Sequence, residues 1–177
     1  MIKLIDLLNE IDIPKNTWFP LLPNELKDVE YDILDLIQNA YGPIGGHPNY
    51  KTISDLAGSD YIIVDLDDDP DIDAVTVTKK RSGGTKHVGI GHDGTSLSKR
   101  AAISQTIRDL GKQGVYIEAS GKMADILMKA NVSQVTDEDT IRKALRGKEI
   151  KMYDDGSYDR NLGGKIYRKL MFGKPTV

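Results

Sequence analysis

This sequence predicts an α+β domain: one mixed, mostly antiparallel sheet flanked by helices. Leu26–Ala40 and Ser98–Leu110 space their apolar residues to line one face of a helix. Tyr61–Asp65, Ala74–Lys80, Thr85–Gly91, Val115–Ala119 and Ile166–Phe172 are short runs, apolar or alternating, as strands are. Three of these strands follow one another before helices intervene, which points to α+β around a mixed sheet. The 177 residues are enough to bury a core. With no repeat, low-complexity tract or linker, residues 1–177 read as a single domain.

Hydrophobic residues make up 39% and charged residues 29%, ordinary for a soluble globular protein. The net charge of -3 gives no basis for general nucleic-acid binding. The absence of cysteine excludes disulfides, thiolate metal sites and a cysteine nucleophile, and fits a reducing compartment. Apolar runs such as Tyr61–Val64 are far too short to cross a bilayer. The first residues alternate Leu and Ile with Asp and Glu, unlike a signal peptide. The expected location is the cytoplasm.

The chain opens with an amphipathic pattern over Ile2–Ile11, a helix within residues 1–15 that Pro14 ends. Asn16–Leu22, with Trp18 and Phe19 between prolines, suits a short edge strand whose aromatics pack. Asn24 can cap the helix at Leu26–Ala40, framed by Pro23 and Pro43. Gly42–Tyr50 is loop by every local rule, and its His47 and Tyr50 are candidates to reach a substrate or simply part of a connection. A short helical turn follows at Thr52–Leu56. Tyr61–Asp65 is a buried strand, Asp67–Asp71 an acidic turn, and Ala74–Lys80 a strand with Val75 and Val77 on one side. Ser82-Gly83-Gly84 turns the chain into the return strand Thr85–Gly91. After Val115–Ala119 come a helix near Ser120–Ala130, an extended Val132–Val135, and a helix over Asp137–Leu145 with acids first and bases last, the order its dipole favours. Ile150–Tyr153, Tyr158–Leu162 and Ile166–Phe172 close the chain as a β-meander.

The stretch from Thr85 to Arg100 concentrates the chemistry. A strand passes through Gly89, Gly91 and Gly94 and opens a helix that Thr95, Ser96 or Ser98 can cap. Free amides and the positive end of the helix dipole suit a phosphate or pyrophosphate there. Such a turn can equally be a connection that binds nothing.

The order of elements resembles the GNAT-type N-acetyltransferase fold over roughly Asn16–Pro175. In that family the turn reads Arg/Gln-x-x-Gly-x-Gly/Ala. The matching Gly89-Ile90-Gly91-His92-Asp93-Gly94-Thr95-Ser96 has the glycines but neither Arg nor Gln at its start. Tyr116–Gly121 is similar to the next family strand and the start of its helix. The resemblance implies an acyl-CoA N-acyltransferase. Its co-substrate, acetyl-CoA, would be held by Val88, Gly89, Gly91, His92, Asp93, Gly94, Thr95 and Ser96, and its acceptor would be a small-molecule or protein amine. Glu118, which shares a strand face with Tyr116, is then the base, although a surface glutamate on a strand is the simpler reading. The family's acid, a tyrosine on the following helix, has no counterpart in Gly121–Asn131; Tyr158 or Tyr167 stands in, unless both only pack. His92 is a candidate contact for thioester or phosphate, or a solvated loop residue.

Two other readings compete. The segments Tyr158–Gly164 and Lys169–Pro175 are similar to the ends of small proteins of tailed phages. They imply a non-catalytic structural or host-interaction protein on the same scaffold, placed in the host cytoplasm. Separately, Ile62–Asp67 ends in Asp-x-Asp and resembles the first motif of haloacid-dehalogenase-type phosphatases, with Asp65 as nucleophile, Asp67 as acid and Mg²⁺ between them. That motif normally opens a parallel βα domain, whereas here a hairpin follows. A calcium loop is excluded because Pro70 sits where the turn needs glycine.

Overall fold

The computed structural model describes residues 18–20, 26–42, 50–64, 72–80, 84–146 and 149–175. The N-terminal helix, Asn24, His47, the Asp65 and Asp67 pair and the acidic turn to Asp71 lie outside these residues. The fold is α+β. Its described residues form two compact units. A meander unit holds the described part of 18–79 together with 89–106, and a C-terminal unit holds 80–88 and 107–175.

In the meander unit, the edge strand β1 (Trp18–Pro20) pairs antiparallel with β2 (Ser59–Val64), Trp18 facing Val64. Pro20 has no amide to donate, which only an edge position tolerates. β2 pairs antiparallel with β3 (Ala74–Lys80), Ile62 facing Thr76, and β4 (Lys86–His92) follows in the sheet. Helix α1 (Leu26–Ala40) buries Ile33, Leu36 and Ile37 against Tyr50, Leu56, Val75 and Val77. The short 3-10 turn Ile53–Leu56 is pinned by Asp55, whose Oδ2 accepts the amides of Lys51 at 2.9 Å and Thr52 at 2.8 Å. These bonds, the Thr52 amide's first, hold the Asp55 carboxyl below its ordinary pKa. The alternation in β3 predicts one buried face. Instead Ala74, Val75, Thr76 and Val77 are all buried, so the hydroxyl-bearing face is covered too.

β4 begins in the C-terminal unit, as helix α2 (Ser96–Leu110) ends there. β5 (Val115–Ala119) runs parallel to β4, with Lys86 opposite Val115 and His87 opposite Tyr116. Helix α3 (Gly121–Lys129), the two-residue β6 (Gln134–Val135) and helix α4 (Glu138–Ala144) follow. Asp137 caps α4 through the Thr140 amide at 2.8 Å. β7 (Lys151–Met152), β8 (Tyr158–Leu162) and β9 (Lys165–Gly173) complete the chain. The order is β4-β5-β9-β8-β7, so the last strand is inserted between β5 and β8. β6 also pairs β9, Val135 facing Met171. Tyr116, Val135, Ile141, Ala144, Leu145, Tyr158 and Met171 make this unit's core.

Gly91 shows how tightly the meander unit is built. A Cβ there would lie 2.8 Å from the Ile37 amide nitrogen and 2.9 Å from the Leu36 carbonyl carbon. Both are backbone atoms of a helix and have little room to give. Gly91→Ala is therefore expected to destabilise by about 1–3 kcal/mol. Urea unfolding would read this as a lower midpoint with an unchanged slope. An unchanged midpoint would mean that α1 does not press on β4 at this point.

Candidate functional site

The glycine turn lies where β4 hands over to α2. Val88, Gly89, Ile90 and Gly91 are buried, while Asp93, Gly94, Thr95 and Ser96 are exposed. The reason for glycine at 91 is the backbone of α1. Gly94 has φ +99° and open space around its missing Cβ, so conformation alone selects glycine there.

Much of the turn's polarity is met within the chain. The Asp93 Oδ1 accepts the Thr95 amide at 2.7 Å, lies 2.8 Å from the Thr95 hydroxyl, and also accepts the Ser98 hydroxyl. Thr95 acts as helix cap, its Oγ1 accepting the Ser98 amide at 3.3 Å. The amides of Ser96 and Leu97 have no acceptor among the described residues. Asp93 thus already supplies a negative charge at the helix's positive end, where an incoming anion would sit. Lys99 and Arg100 are exposed beside it. His92 is partly buried and its Nδ1 has no partner among the described residues. Burial, aided by the charge of Lys99 and opposed by Asp93, lowers its pKa below the ordinary imidazole value. A neutral ring at neutral pH follows.

The predicted catalytic residues lie in the C-terminal unit. β5 pairs with β9 so that Glu118 faces Met171, and β8 pairs with β9 so that Tyr158 faces Lys169 and Arg160 faces Tyr167. Alternation then places Glu118, Tyr158, Arg160, Tyr167 and Lys169 on one side of three neighbouring strands. Arg160 Nε meets Glu118 Oε2 at 3.2 Å and Oε1 at 3.4 Å, with side chains 6% and 15% exposed. Lys169 Nζ donates to Ser120 Oγ at 3.2 Å and stands 5.7 Å from the centre of the Tyr167 ring. Tyr158 is wholly buried, and its hydroxyl makes no hydrogen bond of ordinary geometry among the described residues, with Glu118 the acceptor that acts on it. Burial first, then the charge of Glu118, raise its pKa above that of a free phenol, so it stays protonated.

Glu118 and Tyr158 are thus brought together, and Tyr167 borders them. Arg160 and Lys169 are the members that sequence reasoning missed. Their period-two spacing from Tyr158 and Tyr167 was visible, but not which strand they face. A cleft of about 630 Å³ in the same unit is lined by Arg142, Glu149, Ile150, Lys151, Asp159, Asn161 and Ile166, and contains none of the predicted residues. Among the described residues no group of three or more His, Asp or Glu could hold a metal, and no helix is long and apolar enough to cross a membrane. No protein-family model matches the chain, and no curated protein matches it either.

Burial resists ionisation of Asp93, but hydrogen bonds from Ser98 and Thr95 outweigh it and hold the carboxyl below its ordinary pKa. A depressed folded pKa gives stability that is full above the unfolded value of about 3.9 and is lost as pH falls through the folded one. Asp93→Ala should cost about 0.5–1 kcal/mol at neutral pH, the range for an exposed helix-start acceptor screened by solvent. The gap to wild type should close on acidification. Denaturant titrations across pH check this; a gap that persists below both pKa values would show that the charge is not what stabilises the turn.

Proposed function

We propose that the protein is an acyl-CoA-dependent N-acyltransferase that moves an acetyl group from acetyl-CoA to an amine. The observation that carries this reading is the strand order of the C-terminal unit. β5 lies between parallel β4 and antiparallel β9, and the last strand is inserted before its predecessor β8. Of this order, the resemblance implies the parallel step from β4 through a helix to β5, followed by closing strands. The parallel ladder has two pairs, ending at His87 and Tyr116. Beyond it, Ile117, Glu118 and Ala119 pair on the β9 side. An extended pantetheine arm with its amides can add to the other edge of β5 as a strand would.

In this reading Glu118, directly or through water, accepts the proton of the attacking amine. The amine nitrogen bonds to the thioester carbon, the carbon–sulfur bond breaks, and coenzyme A leaves as thiolate. Tyr158 keeps its proton, so its part is a hydrogen bond to developing negative charge. Protonation of the thiolate falls to Tyr167, which is partly exposed, or to water. Within the meander unit taken by itself, the turn Gly91–Ser96 leaves the amides of Ser96 and Leu97 open to a pyrophosphate. The ion pair of Glu118 with Arg160 favours a second reading, a binding protein without turnover, because Arg160 competes for the carboxylate a base must use.

The test is acetyl-CoA consumption across a panel of amines. Glu118→Gln should lower kcat by roughly 10²-fold while leaving the KM for acetyl-CoA unchanged. Equal turnover by the variant would remove Glu118 from the mechanism. Acetyl-CoA binding without consumption by any amine would select the second reading.

A further inference from the structure

The buried face of β5, β9 and β8 carries two cations and one carboxylate. Arg160 is 5% exposed and Lys169 9%. Glu118 meets Arg160 through Nε, and the terminal guanidinium nitrogens are not among the buried atoms that lack a partner, so they stay open to solvent or a ligand. Ser120 takes a single hydrogen bond from the Lys169 ammonium, which has three to give. Tyr158, directly across from Lys169, is wholly buried, and its hydroxyl lies near Glu118 without a hydrogen bond of ordinary geometry to it. The charges acting on Lys169 and Tyr158 are those of Glu118 and Arg160. One positive charge is therefore in excess on a largely buried face whose charged ends solvent still reaches, where an anion finds less competition from water than on an open surface.

We infer that Arg160, Lys169 and Tyr158 form a subsite for the carboxylate of a small ligand, and that the acyl acceptor is an amine carrying such a group. Charge matching favours a monoanion. A carboxylate brings the cluster to neutrality, whereas a phosphate dianion would leave an excess negative charge buried. The planar guanidinium suits a carboxylate's two oxygens, and an ammonium and a phenol supply donors beside it. Burial pushes Lys169 to give up its proton, Glu118 opposes this and Arg160 adds to it. A bound carboxylate supplies the counter-charge that would hold the ammonium. The acceptor assignment rests on the acyltransferase reading; carboxylate binding does not.

The probe is acetate, followed by its NMR signals and by thermal unfolding at neutral pH against chloride of equal ionic strength. Acetate should raise the unfolding midpoint of the wild type more than chloride does. Tyr158→Phe deletes the hydroxyl without changing shape, so the variant folds, and it should bind acetate several-fold more weakly. Lys169→Met should weaken binding about tenfold or more. Glu118→Gln removes the competing anion and should tighten binding about tenfold. Acetate no better than chloride on the wild type, or unchanged affinity in both Tyr158→Phe and Glu118→Gln, overturns the subsite. The acceptor half is read from acetyl-CoA consumption with glycine against methylamine. Faster consumption with glycine supports it, and faster consumption with methylamine overturns it. Acetate binding that responds to the variants, with neither amine nor any other consumed, upholds the subsite and removes the acyltransferase reading.

Discussion

The C-terminal unit depends on the pairing of β9 with β5. β9 is the last strand of the chain, yet it contacts β5, β6 and β8. Its partner β5 lies some fifty residues earlier, so chain entropy is lost before this pairing returns any contact. The register decides the chemistry. Side chains alternate along a strand, so a slip of one residue would turn Lys169 and Tyr167 to the opposite face from Glu118. The core helps prevent it, because Met171 and Tyr158 are wholly buried on the same side as the charges, with Ile141 and Ala144 of α4.

On that register sits a charged group that does not serve stability in any simple way. Breaking a buried ion pair such as Arg160–Glu118 typically costs about 3–5 kcal/mol, yet an apolar pair of similar volume would often do as well. Lys169 adds a second buried cation, and Tyr158 a buried hydroxyl without a hydrogen bond of ordinary geometry. Perturbed groups gathered on one face make it a candidate functional site, although structural ion-pair networks perturb groups as well. Arg160 is the better partner for Glu118 than a lysine would be, since its fork holds a carboxylate and keeps further N–H groups for another acceptor.

The glycine turn follows a different logic. Its glycines divide into one required by packing, Gly91 beneath α1, and one required by conformation, Gly94 at positive φ. Neither requirement needs a ligand. What ties the turn together is Asp93, which binds Thr95 and Ser98 and brings its own charge to the start of α2. An anion bound there would rest on the amides of Ser96 and Leu97 and on Lys99 and Arg100, against the repulsion of Asp93.

The sequence by itself determined the local elements. The β3, β5 and β8 bounds match the expected ones, α1 carries the predicted apolar face, and Asp137 caps α4. These features come from neighbours within a turn or two of the chain, which periodicity and capping chemistry record. Which strand lies beside β5, and so which cations meet Glu118, was decided only by tertiary structure. The same holds for the backbone of α1 pressing on Gly91 and for the buried face that carries Thr76. The alternation of Tyr158 and Arg160 is visible in the sequence, but a period of two fixes a face without naming what lies across it. Only the β5–β9 and β8–β9 registers set Glu118, Arg160 and Lys169 on one surface, because such pairing is a property of distant segments meeting.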